Sequence, residues 1–252
     1  MLSGRSILAA ARSALLDVEA LALPAACLGC ERALRPADEA AVLCAPCRSR
    51  MRRIAPPVCG RCGQPTDPWD VSGADCQFCR QWPAELAWAS SAVWLEEGPA
   101  KRLVHALKYG GWRVGARPMA AVMARECSTA LRSVDVFVPV PLGRVRLRER
   151  GHNQAAELAL ALSACLGVTV VHDALLRSRE TKTQTELTPA ARRRNVSGAF
   201  QPGSRRLDGL RVVIVDDVLT TGATLGAAAV ALTGTGARSV GAVTFGRALV
   251  PQ

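Results

Sequence analysis

With 252 residues, 49% of them hydrophobic, the chain can bury at least one full-sized core, which excludes a largely disordered protein. It has no run of about 18 uninterrupted apolar residues, so no membrane-spanning helix is expected. The net charge is +11 and only three of the 32 basic residues are lysines, so the surface is rich in arginine. The planar guanidinium fork suits phosphates and nucleic acid. The same excess, spread along the whole chain, also fits a plain compositional bias.

The first segment carries Leu8, Leu15 and Leu16 at roughly helical spacing. Arg12, Asp17 and Glu19 interrupt what would have to be the apolar core of a signal peptide. A short amphipathic helix and a cytoplasmic protein are expected. Next come Cys27 and Cys30, then Cys44 and Cys47, two C-x2-C pairs separated by thirteen residues. The arrangement recurs with an offset of 32 residues as Cys59, Cys62, Cys76 and Cys79. A two-residue gap lets both sulfurs of one turn face one ion, and two such turns complete the tetrahedral S4 shell that zinc prefers. The repeat favours sequential pairing over an interleaved one, because each copy then closes its own site. Four thiolates leave no open position, so two structural Zn2+ ions are expected, replacing the apolar core this proline-rich region lacks.

Trp82, Trp88 and Trp94 follow, and packing at a domain junction is the expected role, ahead of base stacking. His105, on a helix with Leu103 and Leu107, is expected to be packed in, as are Cys127 and Cys165. Val134 to Val138 reads as a strand running into Pro139-Val140-Pro141-Leu142. Arg144, Arg146, Arg148 and Arg150 come next, and His152 is expected to open a helix. Arg177 to Thr188 has little apolar content and ends where Thr188-Pro189 can start another helix.

Val212 to Val215 is a short apolar run, typical of a strand buried on both faces. Asp216 and Asp217 stand at its end, and Thr220-Thr221-Gly222-Ala223-Thr224 leads into an alanine-rich helix, Leu225 to Leu232. Ligands sit beyond the carboxyl ends of strands in such an arrangement. Backbone N–H groups at the helix start, with threonine hydroxyls, can wrap a phosphate. The adjacent carboxylates suit the hydroxyls of a ribose and a nearby Mg2+, which takes hard oxygen ligands. Since like charges repel in an empty site, replacing both with alanine is expected to leave stability unchanged or slightly raised. Gly234-Thr235-Gly236 follows a helix and reads as a turn into a last strand, Ser239 to Phe245.

The segment Val212 to Thr224 resembles the signature of type I phosphoribosyltransferases. VPVPL (Val138 to Leu142), RLRERGHNQAAELA (Arg146 to Ala159), KRLVHALKYGG (Lys101 to Gly111), RSRETKTQTEL (Arg177 to Leu187) and RRRNVSGAF (Arg192 to Phe200) look like the ComF family, competence-associated phosphoribosyltransferase-like proteins whose N-termini also carry paired C-x2-C motifs. The resemblance implies an α/β fold, a mostly parallel sheet with flanking helices behind a small zinc-binding module. The module is expected at residues 1–82 and the phosphoribosyltransferase-like domain at 83–252.

By the same resemblance, Asp216 and Asp217 hold the ribose hydroxyls of 5-phosphoribosyl diphosphate, and Thr220, Thr221, Gly222, Ala223 and Thr224 hold its 5-phosphate. Pro141 and Leu142 belong to the diphosphate loop, with Lys108 and Arg148 or Arg150 as cationic partners. Arg179, Thr181, Lys182 and Gln184 belong to a mobile hood, and Mg2+ accompanies the diphosphate. The implied role is DNA uptake in natural transformation beside a competence helicase. The alternative is a non-catalytic adaptor that binds ribose phosphate or single-stranded DNA.

Overall fold

The computed structural model describes residues 25–35, 42–66, 76–179, 196 and 198–248. The expected N-terminal helix, and the segment carrying Thr181, Lys182, Gln184 and Thr188, lie outside the described residues.

The central element is a five-stranded sheet, ordered β1-β7-β6-β2-β3 with every neighbouring pair parallel. Its strands are β1 (Leu86–Trp94), β2 (Val136–Pro139), β3 (Thr169–Val170), β6 (Arg211–Leu219) and β7 (Ser239–Arg247). A small antiparallel pair, β4 (Leu175–Arg177) with β5 (Phe200–Pro202), stands apart from it. The helices include α1 (Ala45–Ser49), α2 (Pro99–Tyr109), α3 (Ala116–Glu126), α4 (Ser128–Leu131), α5 (Arg144–Arg150), α6 (Gln154–Leu166) and α7 (Ala223–Thr233). Among the described residues no helix is long and apolar enough to cross a membrane.

Both faces of the sheet are covered, which is why its strands read as continuous apolar runs. Successive β6 residues point to opposite faces. Val213 and Val215, with Phe137, Val243 and Phe245, pack under α2, α3 and α6. Val212 and Ile214, with Val136, Val138, Val240 and Ala242, pack under α7 and the β4–β5 pair. The two cysteine repeats divide between these cores. Cys27, Leu34, Leu43, Cys47 and Met51 join the first, whereas Cys62, Cys79 and Trp82 join the second.

Three expectations need correction. The strand expected at Val212 to Val215 continues to Leu219, because β7 keeps pairing with it as far as Leu219 opposite Arg247. The acidic pair therefore lies inside the strand. Cys127 is buried, but Cys165 is exposed on the last turn of α6. His105 is exposed as well, since Ala100, Leu103, Val104 and Leu107 define the buried stripe of α2 and leave it outside.

Candidate functional site

Strand order fixes where a ligand can enter. From β2 the sheet runs outward to β3, and from β6 it runs the other way through β7 to β1. The crevice beyond the carboxyl ends of β2 and β6 lies at this reversal, the place where open α/β sheets bind ligands. Pro139 pairs with Val215, and Val140 N–H donates to Val215 O at 3.0 Å, so the chain leaving β2 runs alongside the acidic pair. Asn153 holds that exit by two bonds: its Nδ2 donates to Val140 O at 2.9 Å, and its Oδ1 caps α6 by accepting from Ala155 N at 3.0 Å.

The crevice has a volume of about 770 Å³. Asp216, Asp217, Thr220, Gly222, Ala223, Thr224, Leu142, Lys108 and Arg150 all line it, so nine of the residues expected from sequence converge on one cleft. Thr221 turns its backbone to the far side of the loop, and its Oγ1 accepts from Ala223 N at 3.4 Å. Pro141 stands beside the wall, where its carbonyl accepts from Arg177 at 3.4 Å. Arg148 does not reach the cleft: it is exposed, and its Nε donates back to Arg144 O at 3.4 Å.

The place expected for Arg148 is filled by Arg146, which lies on the same helix face as Arg150, four residues away. The i,i+4 spacing was the available signal. Arg146 Nη2 is buried and has no hydrogen-bond partner among the described residues, so this cation lines the cleft with an unused donor. Arg150 donates to Gln154 Oε1 at 3.0 Å, and its guanidinium lies 5.0 Å from the centre of the Tyr109 ring.

Asp217 is buried, and Lys108 Nζ lies 2.5 Å from its Oδ2. Apart from this ion pair the oxygen has no well-aligned donor. Burial would lower the Lys108 pKa, but the Asp217 carboxylate outweighs it and holds the ammonium above its ordinary value. Asp216 keeps partial exposure at the cleft and accepts from Asp217 N at 2.8 Å. Its pKa is pushed well above the usual carboxylate range, first by desolvation and then by the Asp217 charge. A hard cation would relieve both effects, so the pair could hold a divalent ion such as Mg2+.

The expected repulsion within the acidic pair is present, since beyond desolvation the Asp217 charge raises the Asp216 pKa, and Lys108 offsets only part of it. Removing both carboxylates would relieve that repulsion but leave the largely buried Lys108 ammonium without its partner, a cost that opposes the expected gain in stability. His152 is buried between two carbonyls, with Nε2 2.7 Å from Leu107 O and Nδ1 2.9 Å from Arg150 O. It joins the ends of α2 and α5, the helices that carry Lys108 and Arg146. Both ring nitrogens are thereby occupied, which leaves none for proton transfer to a ligand.

The loop after β6 ends in Gly222, whose φ of +79° starts α7. A side chain here would be strained by that angle, and a Cβ would come within 2.4 Å of the Trp82 indole. Trp82 and Trp94 are buried and Trp88 is half-buried, in keeping with their expected packing role.

Each cysteine quartet gathers its four sulfurs within 4.8 Å of one another, in the sequential pairing. Sulfur separations are 3.6 Å for Cys27–Cys44, 3.8 Å for Cys30–Cys44, 3.9 Å for Cys59–Cys79 and 3.7 Å for Cys62–Cys76. A ZnS4 tetrahedron with bonds of about 2.3 Å has edges of about 3.8 Å, so both quartets fit structural zinc. Cys27 is further prepared for a cation. Burial raises its pKa, but N–H donors from Cys44 and Gly29, each 3.3 Å from its sulfur, outweigh this and bring it to about 7.

Sequence reasoning did not single out Arg61 or Arg247. Arg247 is buried at the end of β7, and its Nη1 donates to Cys62 O at 2.6 Å, while Nε and Nη2 reach Gln64 Oε1 at 3.1 and 2.7 Å. An arginine closing an otherwise apolar strand was the one signal for it.

Residues 114–249 match the phosphoribosyl transferase domain family, and residues 18–82 match the double zinc ribbon domain. The DNA utilization protein YhgH of Salmonella typhimurium is 33% identical over 221 residues, covering 85% of this chain and 86% of that protein. Competence protein F of Haemophilus influenzae is 30% identical over 206 residues, covering 79% and 86%. Competence protein ComFC of Bacillus subtilis is 28% identical over 192 residues, covering 73% and 74%. With an all-parallel sheet, a ribose-phosphate signature on its central strand and two cysteine quartets ahead of it, the chain belongs to the ComF family.

Proposed function

We propose that the cleft binds 5-phosphoribosyl diphosphate with Mg2+, and that the protein acts in the uptake or use of DNA. The observation that carries this reading is the convergence of the Asp216–Asp217 pair, a helix N-terminus and four cationic side chains, Lys108, Arg146, Arg150 and Arg177, on one cleft of about 770 Å³. Asp216 and Asp217 orient the ribose hydroxyls, and the Thr220 to Thr224 loop anchors the 5-phosphate at the start of α7. Lys108, Arg146 and Arg150 hold the diphosphate, with Leu142 closing the wall beside it. The hood assigned to Thr181 and Gln184 belongs to the same proposal, and so does a division of the chain at residue 82.

In a transfer reaction the bond from the anomeric carbon to diphosphate breaks, and its electron pair leaves on the diphosphate oxygen. Cationic character grows at the carbon, related to the oxocarbenium state of glycoside chemistry. Mg2+ bound at the carboxylates would neutralise charge on the leaving group. This chain's own part is electrostatic: fixed cations at the diphosphate and fixed acceptors at the ribose. Release of diphosphate from ribosyl diphosphate, assayed with candidate acceptor bases, tests the enzymatic reading. Release above the uncatalysed rate supports it, and tight binding without release favours an adaptor.

The names of the relatives, a DNA utilization protein and two competence proteins, support the DNA role. An adaptor for single-stranded DNA draws on one observation. Tyr109 and Trp112 are 65% and 55% exposed, Tyr109 lines the cleft beside Arg150, and Trp112 rests on Gly110 at the same wall. Aromatic rings among arginines suit stacked bases. Anisotropy of a labelled oligonucleotide is expected to show weak binding that falls steeply with salt. No binding at low salt would remove DNA as a direct partner.

A further inference from the structure

The second cysteine quartet lies against the loop assigned to the 5-phosphate. Trp82, three residues beyond Cys79, donates from its indole N–H to Thr221 O at 2.9 Å. Its ring lies against Gly222, at a distance no side chain could share. Pro83 continues the contact along α7, where a Cβ at Gly226 would come within 2.9 Å of its ring. The loop that must present backbone N–H groups to a phosphate is thus backed by Trp82, the last residue of the cysteine module, and by Pro83 immediately after it.

Trp82 is itself held from within the quartet. Arg61, between Cys59 and Cys62, donates to four carbonyls: Cys79 at 3.1 Å, Trp82 at 3.4 Å, Pro83 at 2.8 Å and Leu86 at 3.2 Å. Its guanidinium stands 6.0 Å from the centre of the Trp82 ring. The backbone of Arg61 is tied in turn to β1, where Ala89 N–H donates to Arg61 O at 2.7 Å. On the other side Arg247 bonds Cys62 O, and its guanidinium lies 4.3 Å from the Phe78 ring, which meets Trp82 edge-on at 5.9 Å. Cysteine turn, Arg61, Trp82 and phosphate loop form one chain of direct contacts.

We propose that Trp82 is a positioning residue for the Thr220 to Thr224 loop, and that the second cysteine quartet, through Arg61, sets the loop's readiness for a sugar phosphate. The inference rests on the reading of that loop as the 5-phosphate site. Tight turns presenting several N–H groups to one anion depend on pre-organisation, because a loop free to relax spends binding energy on ordering itself. The first quartet makes no such contact among the described residues, since its apolar neighbours belong to the core on the other face of the sheet.

The test uses the full-length zinc-loaded protein, with ribose 5-phosphate and inorganic diphosphate as separate calorimetric probes. Trp82→Phe keeps an aromatic ring but loses the N–H donor and the pyrrole part of the contact with Gly222. It is expected to weaken ribose 5-phosphate about fivefold to tenfold, the scale of one hydrogen bond. Diphosphate, held by Lys108, Arg146 and Arg150, should change less than twofold. Amide exchange at Gly226, bonded to Gly222 O at 2.8 Å, should speed up in the variant. Cys76→Ser should mimic the selective loss and Cys44→Ser should not. Trp82→Phe decides the matter if either serine variant fails to fold. Wild-type protein that binds ribose 5-phosphate, loses it on Asp216→Asn, yet binds equally well as Trp82→Phe would overturn the positioning role alone. Wild-type protein that binds diphosphate but not ribose 5-phosphate would overturn the loop assignment, and the inference with it.

Discussion

The two cysteine quartets are copies in sequence and differ in what they support. Both have C-x2-C turns, a thirteen-residue gap and sulfurs drawn within 4.8 Å of one another. The first sits on the α2 and α3 side of the sheet, where Leu34, Leu43 and Met51 extend an apolar core. Among the described residues, Arg48 donates to Leu43 O at 2.5 Å, Arg102 reaches Gly29 O at 3.4 Å, and Arg52 and Arg53 just beyond the quartet pair with Glu96 and Glu126 at 2.6 and 3.2 Å. The second sits on the α7 side and is held by two arginines whose donors are spent on its backbone carbonyls and on Gln64. Identical ligand chemistry thus joins an apolar core in one copy and, through Trp82, backs the Thr220 to Thr224 loop in the other. The residues between and after the cysteines decide which, and the cysteines do not.

The largest expected effect is shared by both copies. Elemental analysis should find two zinc ions per chain, and chelation should unfold the module, because structural zinc contributes roughly 10–16 kcal/mol to units of this size. Protein carrying no zinc would refute both assignments, and a single zinc would leave one quartet without its metal. The next effect separates the copies. Arg247→Leu leaves the Cys62 carbonyl and Gln64 Oε1 without donors, at about 1–3 kcal/mol for each orphaned acceptor. Arg102→Leu, removing one long bond in the first copy, should cost less than about 1 kcal/mol. Urea midpoints with unchanged slopes would measure both. Equal losses would mean that the copies are braced alike.

Gly222→Ala should cost about 1–2 kcal/mol for the left-handed backbone alone, and more because the new Cβ meets the Trp82 ring. The smallest effect is a matter of pH. The Asp216 carboxyl is raised in the folded state, so the native protein holds this proton over a range where the unfolded chain has lost it. Its contribution is present in full below the ordinary carboxylate pKa, and is lost as pH rises through the folded value. Asp216→Asn, a mimic of the protonated form, should therefore gain stability over wild type as pH rises from about 4. A difference in melting temperature that does not vary with pH would contradict the assigned shift.

Much of this was legible because the motifs are local. Cysteine spacing fixes which sulfurs can meet, and the run from Val212 to Thr224 places a strand, two carboxylates and a helix start within thirteen residues. What was missed depends on faces and partners. Asp216 and Asp217 read as a strand end because apolar character stops at Val215, yet β7 pairs with them regardless. Arg148 and Arg146 are equivalent in composition, and only the turn of α5 aims one at the cleft and the other at solvent. Lys108 and Asp217 lie more than a hundred residues apart, so their ion pair was invisible, and with it the cost that opposes relief of the carboxylate repulsion. Arg61 could be given a role only once Trp82 was seen on the loop.

The central claim is that the acidic pair and the loop beyond it bind ribosyl diphosphate. Calorimetric titration of 5-phosphoribosyl diphosphate with Mg2+ into wild-type protein and into an Asp216→Asn/Asp217→Asn variant tests it most directly. Asparagine keeps the shape of each side chain, so a melting curve can establish that the variant folds. The wild type should bind with an Mg2+-dependent affinity, and the variant should be weaker by about 1.5–3 kcal/mol for each lost bond to a charged acceptor. A folded variant that binds as tightly as wild type would place the ribose elsewhere and contradict the account.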